Sequence, residues 1–108
     1  MEKKPIEGEL ESLVSFNHWS RKKWMLPIIN LLIKEGPKSY TELRAGLPTI
    51  NNNGLDLALK ELLYFKMIES KFEHISDPHQ KYFILPLGAS LEPVIAAIIL
   101  WEETNCKT

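Results

Sequence analysis

Apolar side chains recur along the first part of the chain at the spacing of an amphipathic α-helix. Leu10, Leu13 and Val14 fall on one side of a first helix, which we expect to begin at Glu9. Residues 1–8 hold four charges, a proline and a glycine, and this composition predicts a flexible tail. A short basic cluster at residues 21–23 follows the helix.

Residues 24–33 are apolar at nearly every position, which is typical of a helix in the middle of a domain or between subunits. Pro27 restricts where this second helix begins, because proline in a helix interior costs about 3 kcal/mol. The sequence therefore predicts either a helix that starts close to Trp24 or one that bends at Pro27. Gly36 and Pro37 end it.

Two shorter helices are predicted next. Ser39 precedes Glu42 at the spacing of a capping box, so a third helix should begin there and end near Gly46. Asn51 is a candidate N-cap for a fourth helix over residues 51–65. The apolar face of that fourth helix consists of Leu55, Leu59, Leu62 and Leu63.

The periodicity then changes to that of extended chain. Residues 67–73 and 82–85 are predicted strands, and the turn-rich segment 74–79 joins them into a hairpin. A last helix should follow Pro86. The predicted fold class is mainly α with a small β-hairpin, and the order of elements is that of a winged helix-turn-helix domain over residues 9–105.

Composition limits the size and the charge of this domain. The 108 residues carry a formal net charge of -1, so a nucleic-acid-binding surface would have to be a local patch. Cys106 is the single cysteine, which excludes an internal disulfide and a cysteine-rich zinc site. We see no signal-peptide core, and the apolar run at residues 93–101 is too short to span a bilayer. A cytoplasmic protein without membrane contact is expected.

Motifs of enzyme chemistry are missing from the sequence. There is no phosphate-binding glycine loop, no Cys/His pair at a useful spacing and no His-Glu-x-x-His pattern. His74 and His79 lie in the hairpin loop, and no carboxylate or cysteine cluster completes a metal site there. We therefore expect no catalytic residues, no metal and no cofactor.

The order and spacing of several short motifs resemble those of the HxlR-type transcriptional regulators, winged-helix proteins grouped with the MarR-like regulators. The matching pieces are Lys23-Trp24, Gly36-Pro37, Tyr40, Glu42-Leu43, Leu47-Pro48, Ile50, Leu55, Leu59, Glu61-Leu62, Tyr82, Gly88, Ser90-Leu91, Pro93-Val94-Ile95, Ala97-Ile98 and Trp101. The resemblance implies a dimeric DNA-binding regulator without catalytic activity. It makes residues 39–46 the supporting helix, residues 51–65 the recognition helix and residues 71–81 the wing.

The chain departs from this family in three places. The family often carries a cysteine at the head of its first helix, where this sequence has Glu11, so thiol sensing is not supported. The exposed middle of the recognition helix, which is usually polar or basic, corresponds to Asp56, Leu57 and Ala58. Of these, Leu57 and Ala58 can touch a thymine methyl group but cannot hydrogen-bond a base edge. His79 stands where a basic residue is often found near the tip of the wing.

The candidate DNA-binding residues combine basic side chains with hydroxyl and amide groups. Asparagine can pair bidentately with adenine, and hydroxyl groups can bind phosphate oxygens. These residues are Lys38, Ser39, Tyr40, Thr41, Arg44, Asn51, Asn52, Asn53, Lys60, His79 and Lys81. The alternative is that Asn51 is only a helix cap and that the lysines form a solvated face.

The last helix is predicted to contact a second copy of the chain, since residues 93–101 carry no charge. Ile95, Ile98 and Ile99 are expected to cover the core. The predicted dimer interface then comprises Leu10, Leu13, Val14, Val94, Ala97, Leu100 and Trp101. The alternative is a monomer in which the first helix covers this patch within the same chain.

Two functions are consistent with the sequence. The first is a homodimeric regulator on a pseudo-palindromic operator in double-stranded DNA, with a small-molecule effector near Trp19, Trp24 and Trp101 as a further hypothesis. The second is a winged-helix protein-interaction module that has lost sequence-specific DNA binding, an alternative favoured by the residues at 56–58.

Overall fold

The computed structural model describes residues 5–20 and 23–106, which form helices and one small antiparallel sheet. The elements are α1 (Pro5–Ser20), α2 (Met25–Glu35), β1 (Lys38–Ser39), α3 (Tyr40–Gly46), α4 (Asn52–Tyr64), β2 (Ile68–Lys71), β3 (Lys81–Ile84), α5 (Pro86–Ala89) and α6 (Glu92–Asn105). The first helix thus begins at Pro5 instead of Glu9, so the second half of the expected tail is helical. Residues 1–4 lie outside the described residues.

Helix α2 is the central element of the core. Met25, Ile28 and Ile29 are fully buried, in agreement with the apolar run in the sequence. Pro27 is the third residue of α2, and the first turn closes around it with a 3.1 Å hydrogen bond from the Ile28 N–H to the Trp24 carbonyl. The helix therefore starts close to Trp24, as the first of the two alternatives predicted.

Helices α3 and α4 begin at the caps that the sequence predicts. The Ser39 hydroxyl accepts from the Glu42 N–H at 3.2 Å, while the Ser39 N–H donates to the Glu42 carboxylate at 2.9 Å. The Asn51 side-chain oxygen accepts from the Gly54 N–H at 2.7 Å. These bonds satisfy N–H groups that have no partner inside the first turn of a helix.

The sheet has the strand order β1-β3-β2, with both pairs antiparallel. Strands β2 and β3 are the predicted hairpin, in a register that places Ile68 opposite Ile84. The two-residue strand β1 was not predicted. Lys38 lies opposite Tyr82 and thereby joins the start of α3 to the sheet. This pairing fixes the wing relative to the two short helices.

The C-terminal region differs from the single last helix that the sequence predicts, because a one-turn helix, α5, precedes α6. Gly88 of α5 is buried against the Met67 carbonyl and the Ile84 side chain. On α6, Ile95 is buried, whereas Ile98 and Ile99 are 39% and 43% exposed. The expectation that all three isoleucines cover the core is therefore wrong for the last two. Among the described residues, no helix is long and apolar enough to cross a membrane.

Candidate nucleic-acid interface

Helix α4 buries one face in the core and presents the opposite face to solvent. Leu55, Ala58, Leu59 and Leu62 form the buried face. Asn53, Leu57, Lys60 and Tyr64 are exposed, and their spacing of four, three and four residues aligns them on one side of the helix. We call these four residues the outer stripe. The polar edge expected for a recognition helix is therefore accessible along the whole length of α4.

Ala58 corrects the prediction for the middle of this helix. The resemblance to the HxlR-type regulators placed Asp56, Leu57 and Ala58 at the exposed middle of the recognition helix. Only 3% of Ala58 is accessible, however. Ala58 follows Leu55 by three residues and precedes Leu62 by four, so the helical period turns it into the core. Leu57 remains half exposed and is the apolar member of the outer stripe.

A hydrogen bond between two helices occupies the carboxylate of Asp56. The Tyr40 hydroxyl at the start of α3 donates to Asp56 Oδ1 at 2.7 Å and also lies 3.4 Å from the Asn52 carbonyl oxygen. The hydrogen bond to Asp56, followed by partial burial, raises the pKa of Tyr40 above its ordinary value. Tyr40 was predicted as a phosphate donor, but its hydroxyl proton is directed at Asp56 instead.

Basic and amide groups cluster near the first turn of α4. Asn52 and Asn53 are exposed there, whereas the side-chain oxygen of Asn51 is used as the cap. A Cβ atom at Gly54 would lie 3.5 Å from Trp24 Cδ1, and the Lys23 ammonium is 5.0 Å from the Trp24 ring centroid. Lys23 therefore adds a cation beside this turn. Its neighbours in the basic cluster, residues 21–22, lie outside the described residues.

The other basic candidates divide into paired and unpaired side chains. Lys38 contacts Glu35 at 2.9 Å, and Lys81 contacts Glu73 at 2.9 Å. The bond to Glu73 raises the pKa of Lys81. Arg44 and Lys60 are exposed and form no ion pair with any residue in the described ranges. These two side chains are therefore free to bind phosphate.

The wing has an ordered tip with little free positive charge. The His74 N–H donates to Asp77 Oδ2 at 2.8 Å, which closes the turn, and Ile75 at the tip is fully exposed. Lys71 contacts Glu69 at 2.9 Å. Since Lys81 is also paired, as described above, both lysines at the base of the wing have carboxylate partners.

A polar depression of about 240 Å³ brings several predicted residues together between α3 and the sheet. It is lined by Ser39, Tyr40, Thr41, Ser70, His79, Gln80 and Tyr82. Burial raises the pKa of the Tyr82 hydroxyl. The start of α3 and the end of the wing thus meet at one surface.

The residues predicted for a dimer interface are all exposed in a single copy of the chain. Leu10 is 63% exposed on α1 and Trp101 is 59% exposed on α6. The remaining members are also exposed, namely Leu13, Val14, Val94, Ala97 and Leu100. Three of the predicted interface residues, Val94, Ala97 and Trp101, line an apolar groove of about 740 Å³ on α6 together with Pro93, Ile98 and Glu102, whereas Leu100 borders a separate depression. None of the α1 residues whose side chains the structure describes lines this groove.

Of the three tryptophans expected around a small-molecule effector, Trp24 and Trp101 do not share one site. Trp24 packs at the first turn of α4, whereas Trp101 lines the groove on α6. The side chain of Trp19 lies outside the described residues. A different apolar cavity, of about 270 Å³, lies between α2 and α6 and is lined by Leu26, Pro27, Asn30, Ile95, Ile98 and Ile99.

A supporting helix, a recognition helix with an accessible outer stripe, and a hairpin packed beside them define the winged helix-turn-helix class. Residues 20–108 match the family model of the HxlR-like helix-turn-helix proteins, and the chain belongs to this family. It is a transcriptional regulator of the HxlR/MarR type. Its relatives are named as regulators, not as enzymes.

Three relatives illustrate the similarity. YybR, an HTH-type transcriptional regulator of Bacillus subtilis strain 168, is 30% identical over 71 residues, which are 66% of this chain and 57% of YybR. A MarR-family transcriptional regulator of Porphyromonas gingivalis W83 is 26% identical with a TM-score of 0.71, covering 97% of this chain and 95% of that one. The reduced form of the redox regulator HypR is 25% identical with a TM-score of 0.77, covering 89% and 94%.

Proposed function

We propose that this protein is a homodimeric transcriptional regulator that binds a pseudo-palindromic operator in double-stranded DNA. The observation that carries the proposal is the outer stripe of α4, where Asn53, Leu57 and Lys60 face solvent opposite the buried leucines. A helix held by its apolar face with a mixed polar edge outward fits the major groove of B-DNA.

In this proposal each element of the fold has a separate role. Helix α4 enters the major groove, and α3 lies across it with Arg44 towards the phosphates. Lys60 on α4 and Lys23 beside its first turn supply further cations. The wing contacts the flanking DNA backbone through His79. Lys38 and Lys81 bind phosphates in competition with their carboxylate partners, Glu35 and Glu73. Ser39, Thr41, Asn51 and Asn52 complete the proposed DNA surface.

Dimerisation would set the distance between two recognition helices. We propose that α1 and α6 pack against the same helices of a second copy, since their apolar residues are exposed in one chain. A two-fold dimer presents the same surface twice, and its α4 helices would enter successive major grooves roughly 34–36 Å apart. Such a spacing predicts an operator with two inverted half-sites.

A selection for bound genomic fragments, followed by gel shifts at low and moderate salt, tests this function. The double variant Arg44→Ala/Lys60→Ala should bind the selected fragment more weakly and with a flatter salt dependence. Each lost phosphate contact changes the slope of log affinity against log salt by about 0.9. Lys34→Ala, which removes an exposed lysine beside α6, is the matched control. Failure to retain any fragment at low salt would refute the proposal.

The second candidate is a winged-helix protein-interaction module, which the paired lysines of the wing favour. Carboxylates at Asp56, Glu69 and Glu73 place negative charge on the surface that DNA would approach. Under this alternative the Arg44→Ala/Lys60→Ala variant would change neither dimerisation nor partner binding. The gel shift described above therefore separates the two functions.

We further propose that a small apolar effector binds in the cavity between α2 and α6. This cavity adjoins Ile98 and Ile99, so an occupant would change how α6 meets a second copy. A ligand of this kind should raise the melting temperature and alter operator affinity at the same concentration. A cytoplasmic location, expected from the sequence, is part of the same proposal.

A further inference from the structure

The first three residues of the outer stripe of α4 carry three kinds of side chain, and each suits a different feature of the major groove. Asn53 carries an amide, Leu57 an isobutyl group and Lys60 an ammonium group. The helix has no arginine, which is the residue that most often reads guanine bidentately. Base discrimination along the outer stripe therefore depends on an amide, an apolar side chain and one lysine.

Leu57 is the apolar residue of this stripe that could meet a base. It is 50% exposed although leucine is usually buried, and the described residues that line the depression beside it all belong to α4. Lys60, Glu61 and Tyr64 border the same shallow depression of about 360 Å³. The Lys60 ammonium and the Tyr64 hydroxyl can contact phosphate oxygens that flank a base, whereas the Glu61 carboxylate cannot.

The spacing along the helix relates Leu57 to Asn53. Four residues correspond to about 6 Å of helix rise, close to two base-pair steps of B-DNA. An A·T pair offers the N6/N7 edge of adenine to an asparagine, and its thymine offers the C5-methyl group to an apolar side chain. Both side chains are thus suited to A·T pairs two base-pair steps apart.

We propose that Leu57 is a specificity-determining residue that recognises the C5-methyl group of a thymine in each operator half-site. This proposal rests on the proposed function, and it names the class of sequence that the site prefers, namely half-sites with A·T pairs beneath Asn53 and Leu57. The methyl group packs against the exposed isobutyl group of Leu57 and is removed from water together with it.

Deoxyuridine substitution tests this proposal, because uracil differs from thymine only in lacking the methyl group. The probe is the shortest genomic duplex that the wild-type protein retains, with each thymine replaced in turn. At one thymine in each half-site the replacement should lower affinity about fourfold, the factor for one buried methyl group. The Leu57→Ala variant should bind the thymine and uracil duplexes equally well.

Leu87→Ala is the matched control, since Leu87 is 53% exposed on α5 and outside the outer stripe. It should keep the wild-type response to uracil. The proposal is overturned if no uracil replacement weakens binding, or if Leu57→Ala still distinguishes the two duplexes. Retention of genomic DNA together with either result refutes only the role of Leu57. If no fragment is retained, the proposed function and the role of Leu57 both fail.

Discussion

The Tyr40 hydroxyl lies 2.7 Å from Asp56 Oδ1 and joins the supporting helix α3 to the recognition helix α4. The hydrogen bond holds the carboxylate on the side of α4 that faces α3, next to the outer stripe. It also raises the pKa of Tyr40, because the neutral phenol donates to a charged acceptor. The hydrogen bond therefore links α3 to α4 while the Tyr40 hydroxyl carries its proton.

Replacing Tyr40 with phenylalanine should lower the free energy of unfolding at neutral pH. Because the pKa of Tyr40 is raised on folding, its stabilising contribution is complete below the ordinary pKa of 10.0 and is lost as the pH rises through the folded value. Urea unfolding between pH 7 and pH 11 should show the difference between wild type and variant shrinking at the alkaline end. Tyr64→Phe, at a position 78% exposed, should show no such trend. A constant difference would argue against the hydrogen bond.

The capping box of α3 predicts a loss of stability in acid. Hydrogen bonds from the Ser39 backbone N–H and then from its hydroxyl lower the pKa of Glu42. The contribution of Glu42 is therefore present above its ordinary pKa of 4.5 and is lost as the pH falls through the folded value. In thermal unfolding, Glu42→Gln should reduce the fall of the melting temperature at low pH. Ser39→Ala should cost about 1 kcal/mol at neutral pH, and an unchanged melting temperature would contradict the role of the cap.

Glu73 is expected to limit DNA binding by the wing, since its carboxylate holds Lys81 at 2.9 Å. In Glu73→Gln the lysine is released towards the phosphates. The affinity should rise, and the slope of log affinity against log salt should steepen by about 0.9 for each copy. Glu103→Gln makes the same change in net charge on α6 and serves as the control. Equal effects of the two variants would show that net charge alone is responsible.

Alanine substitutions at Gly88 and at Gly8 should change the stability of the fold in opposite directions. A Cβ atom at Gly88 would collide with the Met67 carbonyl and would lie 2.7 Å from Ile84 Cδ1. Gly88→Ala should therefore destabilise the fold by about 1–3 kcal/mol, the usual cost of overpacking. Gly8 lies within α1 and has nothing within 4 Å of its Cβ position, so Gly8→Ala should stabilise that helix by about 1 kcal/mol. Chemical denaturation of both variants tests the contrast.

The exposed apolar face of α6 predicts a variant that assembles poorly. Leu100 is 66% exposed, so Leu100→Asp should leave the fold of one chain intact while placing a charge in the proposed dimer contact. Size-exclusion chromatography with light scattering should then report one chain instead of two. Leu87→Asp changes a leucine of similar exposure on α5 and should remain dimeric. A wild-type protein that elutes as one chain would refute the dimer.

The elements with local signals were predictable from the sequence. The caps at Ser39 and Asn51 depend on side chains within three residues of their partners, so spacing alone identified them. The burial of Ala58 was also present in the pattern, between Leu55 and Leu62, but a small side chain carries a weak signal.

Features that join distant segments were not predictable. Strand β1 exists because Lys38 and Ser39 pair with β3, and two residues have no periodicity of their own. The hydrogen bond between Tyr40 and Asp56 depends on how α3 crosses α4, which local patterns do not determine. On α6, the lack of charge indicated an apolar helix but could not show that only Ile95 reaches the core.

The open groove on α6 ties the behaviour of the protein to its abundance. If a second copy covers the groove, association stabilises the folded chain by mass action. Dilution would then lower both the melting temperature and the occupancy of the operator, the latter with roughly the square of the protein concentration. A small change in the concentration of the protein would thus cause a larger change in operator occupancy. The apolar residues of α6 would set the concentration at which the dimer forms.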